Sequence, residues 1–152
     1  MPQSYVNLIY HIVFSTKNRR PLLDKRHHPE LYNYINGIIR QRGGSAMSIN
    51  GMADHVHVLT RLRQDTALSD MIRDFKSGSS GWMHDVFPEL EDFNWQRGYG
   101  AFTVSASQVD KVRDYIMNQA FHHEKRTFEE EFIAMLKING IEFDPKYLFR
   151  DE

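Results

Sequence analysis

The run Ala53-Asp54-His55-Val56-His57-Val58-Leu59 limits what this chain can fold into more than any other stretch. It is mostly apolar, rich in β-branched residues, and reads as a strand. Side chains alternate faces along a strand, so His55 and His57 point one way while Val56 and Val58 point the other. Two imidazoles one pleat repeat apart can grip a single divalent metal. The same pair also suits a strand whose polar face merely carries histidines, and the pair alone does not decide.

The rest of the chain supplies partners for that strand. Val6 to Phe14 (VNLIYHIVF) is a second strand by composition, broken by the polar and basic run Ser15 to Pro21. Pro29 to Gln41 places Leu31, Tyr34, Ile35, Ile38 and Ile39 at helical spacing, with Pro29 in the first turn and Gly43-Gly44 at the end. A short strand, Ala46 to Ile49, and the turn signal Asn50-Gly51 lead into the histidine strand, His55 to Leu62, as an antiparallel hairpin. A helix is expected over Thr66 to His84, with a small, polar second half (Lys76-Ser77-Gly78-Ser79-Ser80-Gly81) that suits close approach of a phosphate backbone or of another helix. Phe87 to Asp92 reads as a loop and Phe93 to Ser105 as one strand interrupted at Gly98 and Gly100. Helices are expected over Gln108 to His123 and Phe128 to Asn139, while Phe143 to Glu152 has no readable period. This order predicts an α+β fold, a ferredoxin-like antiparallel sheet with helices on one face plus a C-terminal helix carrying Tyr115. No repeat or linker divides the chain, so residues 1–152 are expected to form one domain.

Charge narrows the function. The net charge is −1, from 19 basic and 20 acidic residues, which counts against coating nucleic acid through bulk charge. Basic residues cluster locally at Lys17, Arg19 and Arg20 and at Arg61 and Arg63; acids gather at Glu129-Glu130-Glu131. The absence of cysteine rules out disulfides and thiolate metal sites and fits a cytoplasmic location. Met1 to Tyr5 lacks the pattern of a signal peptide, and no run is apolar enough to span a bilayer.

Tyr115 and Gln119 are four residues apart on a helix and so share a face, offset from the apolar stripe of Val112, Ile116 and Ala120. Taken singly, such residues are packing or surface groups. Together with His55 and His57 they suggest a metal held by two imidazoles and the Gln119 oxygen, with the Tyr115 hydroxyl beside it. That group suits breaking and rejoining a phosphodiester: the ion polarises a non-bridging oxygen and the tyrosine attacks in line. A phenol, with a pKa of about 10, leaves more readily than an alkyl alcohol, so the phosphotyrosine bond can be resealed without ATP.

Here the sequence resembles a known family. His55-Val56-His57 with Tyr115-Ile116-Met117-Asn118-Gln119 is similar to the HUH signature of the single-tyrosine transposases of small bacterial insertion sequences, to which the REP-associated tyrosine transposases are related. The likeness extends to Tyr10–Pro21, Phe75–Ser80, Trp95–Gly100, His122-His123 and Phe128, in the family's order. It implies a fold similar to the RNA-recognition sandwich. It also implies a homodimer in which the tyrosine helix works on the partner's histidine strand, and a single-stranded DNA substrate marked by an imperfect hairpin. The implied cofactor is Mg²⁺ or Mn²⁺. Carried over, Tyr115 is the nucleophile and His55, His57 and Gln119 are the metal ligands, with Asp54 placed to orient a histidine. Lys17, Arg19, Arg20, Lys76 and Arg97 are candidate backbone contacts; Tyr99 can stack on bases, whereas Trp95 suits the core. Two imidazoles suit Mn²⁺, Zn²⁺ or Fe²⁺ better than Mg²⁺. Two other functions fit these residues: a hairpin-binding protein that no longer transposes, and a zinc hydrolase using the histidine pair and a water.

Overall fold

The first strand, β1 (Leu8–Ser15), is buried along most of its length, lying inside the sheet with side-chain layers on both faces. Along one edge it pairs with β3 (His55–Leu62) from Leu8↔Leu62 to Ser15↔His55, and along the other with β4 (Gly100–Thr103). The strand β2 (Ser45–Gly51) closes the hairpin with β3, giving an antiparallel sheet ordered β2-β3-β1-β4. The computed structural model describes residues 3–149. Its helices are α1 (His28–Gln41), α2 (Leu68–Val86), α3 (Val109–Met117), α4 (Gln119–His123) and α5 (Phe128–Ile138). This is the expected α+β architecture. No helix among the described residues is long and apolar enough to cross a membrane.

Alternation along β1 and β3 divides the protein into two layers. Ile12, Phe14, Val56, Val58 and Leu62 face α1 and α2, which answer with Leu31, Ile35 and Ile39 and with Met71, Ile72, Phe75 and Met83. Burying each large side chain here contributes about 1.5–3 kcal/mol. The small-residue half of α2 serves this packing: a Cβ on Gly78 would stand 2.4 Å from the Tyr34 hydroxyl, and the buried Ser79 hydroxyl accepts from Trp95 Nε1 at 2.9 Å. Close approach there is helix against helix.

The opposite face carries two smaller apolar clusters. Ile9 and Leu59 meet Val109 and Ile116, while Val13 and Phe102 meet Phe128, Phe132 and Leu136 of α5. His11 stands between Ile9 and Val13 on that face, alongside His55 and His57. Thr127 caps α5, accepting from the Glu130 backbone while Glu130 reaches back to it.

Three elements depart from the sequence reading. The helix expected over Gln108 to His123 is broken at Asn118 (φ −100°, ψ 28°), which ends α3 and leaves Gln119, fully buried, to begin α4. The strand expected over Phe93 to Ser105 pairs only at Gly100–Thr103, with one isolated bridge from Trp95 to Thr16; Gly98, at φ +77°, turns the chain between them. Short 3-10 turns occupy Pro88–Leu90 and Pro145–Tyr147.

Candidate active site

Strand β3 holds His55 and His57 on the face covered by α3 to α5, and both are fully buried. Their rings lie 5.1 Å apart. His55 Nδ1 meets the Asp54 carboxylate at 2.7 Å, and its Nε2 meets Gln119 Oε1 at 2.9 Å. His57 Nδ1 meets His11 Nε2 at 2.8 Å, and its Nε2 meets Glu131 Oε1 at 3.0 Å. Gln119 Nε2 donates to Glu131 Oε2 at 3.3 Å, which fixes the amide with its oxygen toward His55. His123 Nε2 reaches Gln119 Oε1 at 3.1 Å and Glu131 Oε1 at 3.2 Å, while its Nδ1 faces the Arg126 carbonyl at 3.0 Å.

Proton accounting shows what this cluster is suited to hold. A carboxylate and a carbonyl only accept, so Nδ1 of His55 and Nδ1 of His123 each carry the proton. Their Nε2 lone pairs then face oxygens that are themselves acceptors. A cation, whether an added proton or a metal ion, turns these lone-pair contacts into bonds. Two imidazoles and an amide oxygen are an accepted donor set for a divalent ion, so the residues fit the metal that the sequence implies. Burial drives His57 down to about 4 against the pull of Glu131, and burial with help from His57 takes His11 to about 3. Both therefore stay neutral, the form that ligates metal.

Tyr115 on α3 is half-buried beside this cluster, its ring 5.9 Å from His57 and stacked on His122 at 4.4 Å. Its hydroxyl donates to Glu131 and accepts from Arg126 Nη2 at 3.1 Å. Burial and the Glu131 carboxylate push the phenol above its ordinary range, and Arg126 pulls the other way. Burial also opposes ionisation of Glu131. Hydrogen bonds from His123, once its Nε2 has taken a proton, and from His57 and Tyr115 outweigh it and hold the carboxyl well below the usual range. The tyrosine helix thus reaches the histidine strand of its own chain, whereas the resemblance implies reach to a partner's strand.

The five basic candidates gather at one end of the sheet, near where Thr16 N–H donates to the Asp54 carbonyl at 2.9 Å. Lys17 and Arg20 line one depression and Lys76 and Arg97 a second, with Asn94 shared between them. Arg19 lies over the Phe149 ring at 4.2 Å and 3.9 Å from Glu129. The Lys76 ammonium donates to the carbonyls of Gln96 and Gly98 at 2.6 and 2.8 Å, so it also secures the turn that carries Arg97. Tyr99 is exposed beside them, while Trp95 is core.

Comparison with known proteins decides the family. The family model described as "Transposase IS200 like" matches residues 4–119, most of the chain and all of the span from β1 to Gln119. The chain belongs to the IS200-like transposase family. It is therefore an enzyme of DNA cleavage and strand transfer. The transposase is 27% identical over 117 residues to the ISDra2 transposase TnpA of Deinococcus radiodurans, covering 74% of this chain and 84% of that one. It is 27% identical over 119 residues to the transposase of insertion sequence IS200 from Salmonella typhimurium, covering 74% and 77%. A crystal structure of a transposase from Deinococcus radiodurans superposes with TM-score 0.64 at 27% identity, covering 78% of this chain and 96% of that one. A REP-associated tyrosine transposase bound to a REP hairpin shares the fold at TM-score 0.61 and 19% identity, covering 81% and 73%.

The family match ends at Gln119, so Glu131, His123 and Arg126 of the transposase lie beyond it. From the sequence, His123 enters only through the likeness of His122-His123 to the family, with no chemical role, and Glu131, Arg126 and His11 carry no site role. A signal for Glu131 was present. Phe128, Glu131, Phe132 and Leu136 all fall on the buried stripe of α5, an acid at an apolar position, but the run Glu129-Glu130-Glu131 reads as a local gathering of charge. His11 shares a face with Ile9 and Val13, and the register that sets Val13 opposite His57 makes it the histidine face.

Proposed function

We propose that this transposase cleaves and rejoins single-stranded DNA at hairpin-marked element ends through a 5′-phosphotyrosine on Tyr115. In this reading His55, His57 and Gln119 hold Mg²⁺ or Mn²⁺. The observation that carries it is the meeting, in one buried cluster, of both imidazoles, the Gln119 oxygen and the Glu131 carboxylate that holds the Tyr115 hydroxyl. A divalent ion bound there supplies Lewis-acid polarisation of a non-bridging phosphate oxygen. The residues do the rest. Asp54 holds His55 by Nδ1 so that Nε2 faces inward, and His11 does the same for His57. The Tyr115 oxygen attacks phosphorus, the bond to the 3′-oxygen breaks, and that oxygen takes a proton from solvent, leaving a free 3′-hydroxyl for the return step. The phenolic proton has an acceptor in contact, Glu131, and the Arg126 guanidinium faces the oxygen as negative charge develops.

Lys17, Arg19, Arg20, Lys76 and Arg97 are proposed to position the DNA backbone, with Tyr99 stacking on an unpaired base. Support for a hairpin partner comes from the structural neighbour described as bound to a REP hairpin. The homodimer belongs to the same proposal, as do a single domain over residues 1–152 and action in the cytoplasm. Exposed Met117 and Phe121, beside the tyrosine, are apolar surface for the dimer contact. The test is a labelled single-stranded oligonucleotide with Mn²⁺, resolved under denaturing conditions. A shifted covalent protein–DNA band that disappears in EDTA and in Tyr115→Phe is the expected result. Cleavage that survives Tyr115→Phe would point to a water nucleophile, and retention without cleavage to a binding protein.

A further inference from the structure

We infer that Glu131 of α5 is an anionic ligand of the divalent ion, joining His55, His57 and Gln119 from outside the family-matched segment. The inference rests on the proposal that this cluster holds a metal and adds the residue that sets its charge. Glu131 is fully buried, and its ion-pair partners among the described residues are imidazoles: His57 at 3.0 Å, His123 at 3.2 Å and His55 at 3.5 Å. A carboxylate withdrawn from water needs a compensating charge. The Arg126 guanidinium makes its contact with Tyr115 instead.

The spacings match a coordination shell. Ligand atoms each about 2.1 Å from one ion stand about 3.0 Å apart when cis-octahedral and about 3.4 Å apart when tetrahedral. Here Glu131 Oε1 is 3.0 Å from His57 Nε2 and 3.5 Å from His55 Nε2, and Gln119 Oε1 is 2.9 Å from His55 Nε2. Ligand atoms of His55, His57 and Glu131 all lie within 4.8 Å of one another. The two carboxylate oxygens divide their tasks, Oε1 toward the imidazoles and Oε2 toward Tyr115 and Gln119. Glu131 turns two nitrogens and one oxygen into a set of two nitrogens and two oxygens. That shift toward oxygen donors favours Mn²⁺ and Mg²⁺.

The experiment is calorimetric titration of MnCl₂ into the full chain as wild type, His57→Ala and Glu131→Gln, with no DNA present. Glutamine keeps the size and the acceptor of Glu131 but removes its charge. The expected result is binding by the wild type, none by His57→Ala, and at least tenfold weaker binding by Glu131→Gln. Wild-type binding that is lost in His57→Ala but unchanged in Glu131→Gln overturns the inference and leaves the metal site standing. No binding by the wild type overturns both. Should Glu131→Gln fail to fold, hydrogen exchange of wild-type α5 decides: its amides slow on adding Mn²⁺ if Glu131 ligates, and unchanged exchange overturns the inference.

Discussion

The two faces of one sheet do different work, and the same two strands supply both. Ile12 and Phe14 of β1, with Val56 and Val58 of β3, meet α1 and α2 in an apolar layer where shape and volume decide everything. One residue along, His11, His55 and His57 face α3 to α5 and build a buried polar network. The period of two lets neighbouring residues serve stability and chemistry without sharing surroundings. What separates the faces is how they are held. The first closes chiefly by apolar burial, with the Trp95–Ser79 hydrogen bond inside it, whereas the second sets two small apolar clusters around a buried network of imidazoles, amide and carboxylate.

Substitutions on the two faces should therefore fail in different currencies. On the catalytic face, His57→Ala is expected to lower strand cleavage by well over the roughly 10–100-fold that loss of an outer partner costs, because it removes a proposed metal ligand. Initial rates on a labelled oligonucleotide measure this, and a loss below tenfold would merge the ligand with its surroundings. On the other face, Phe75→Ala is expected to cost about 3–5 kcal/mol of stability, with cleavage per folded molecule unchanged. Denaturant melts and active-site-normalised rates read the two quantities separately; a drop in normalised rate would show that the layers are coupled.

Acid sharpens the contrast further. His57 and His11 titrate near 6.5 when unfolded but at about 4 and about 3 when folded. The unfolded chain thus binds more protons at these two sites, so their contribution to stability in EDTA is full above pH 6.5 and is lost as pH falls through about 4 and about 3, while His123, shifted upward, contributes in the opposite sense. His11→Leu should flatten that fall in a series of thermal melts, and an unaltered slope would place the burden elsewhere. The smallest effect belongs to the helix contact. Gly78→Ala should lose about 1 kcal/mol, because overpacking against Tyr34 outweighs the gain in helix propensity. Gly81→Ala, which meets nothing within 4 Å, should gain up to about 1 kcal/mol. Equal signs would dismiss the close packing of α1 on α2.

Much of this division was legible in the sequence. Strand alternation placed His55 and His57 together, and helical spacing placed Leu31, Ile35 and Ile39 in the core. The order of elements gave the antiparallel sheet. Less visible was the break at Asn118, because helical periodicity runs through it without a proline or glycine. The turn after Trp95 was hidden for another reason: strand-forming aromatics flank Gly98, and pairing is a tertiary choice. Glu131 was hidden because in the sequence it is one of three consecutive acids, Glu129-Glu130-Glu131, which read together as a cluster of charge. Its burial beside the imidazoles depends on α5 folding back over β3, a contact between distant parts of the chain.

The account stands or falls on Tyr115 being the group that takes the DNA. The wild-type chain, incubated with a cleavable single-stranded oligonucleotide and Mn²⁺, can be digested with protease and nuclease and its peptides sequenced by mass spectrometry. A nucleotide phosphate on Tyr115, and on no other residue, is the result this account predicts. Efficient cleavage with an unmodified Tyr115, or with the phosphate on a different side chain, would contradict it.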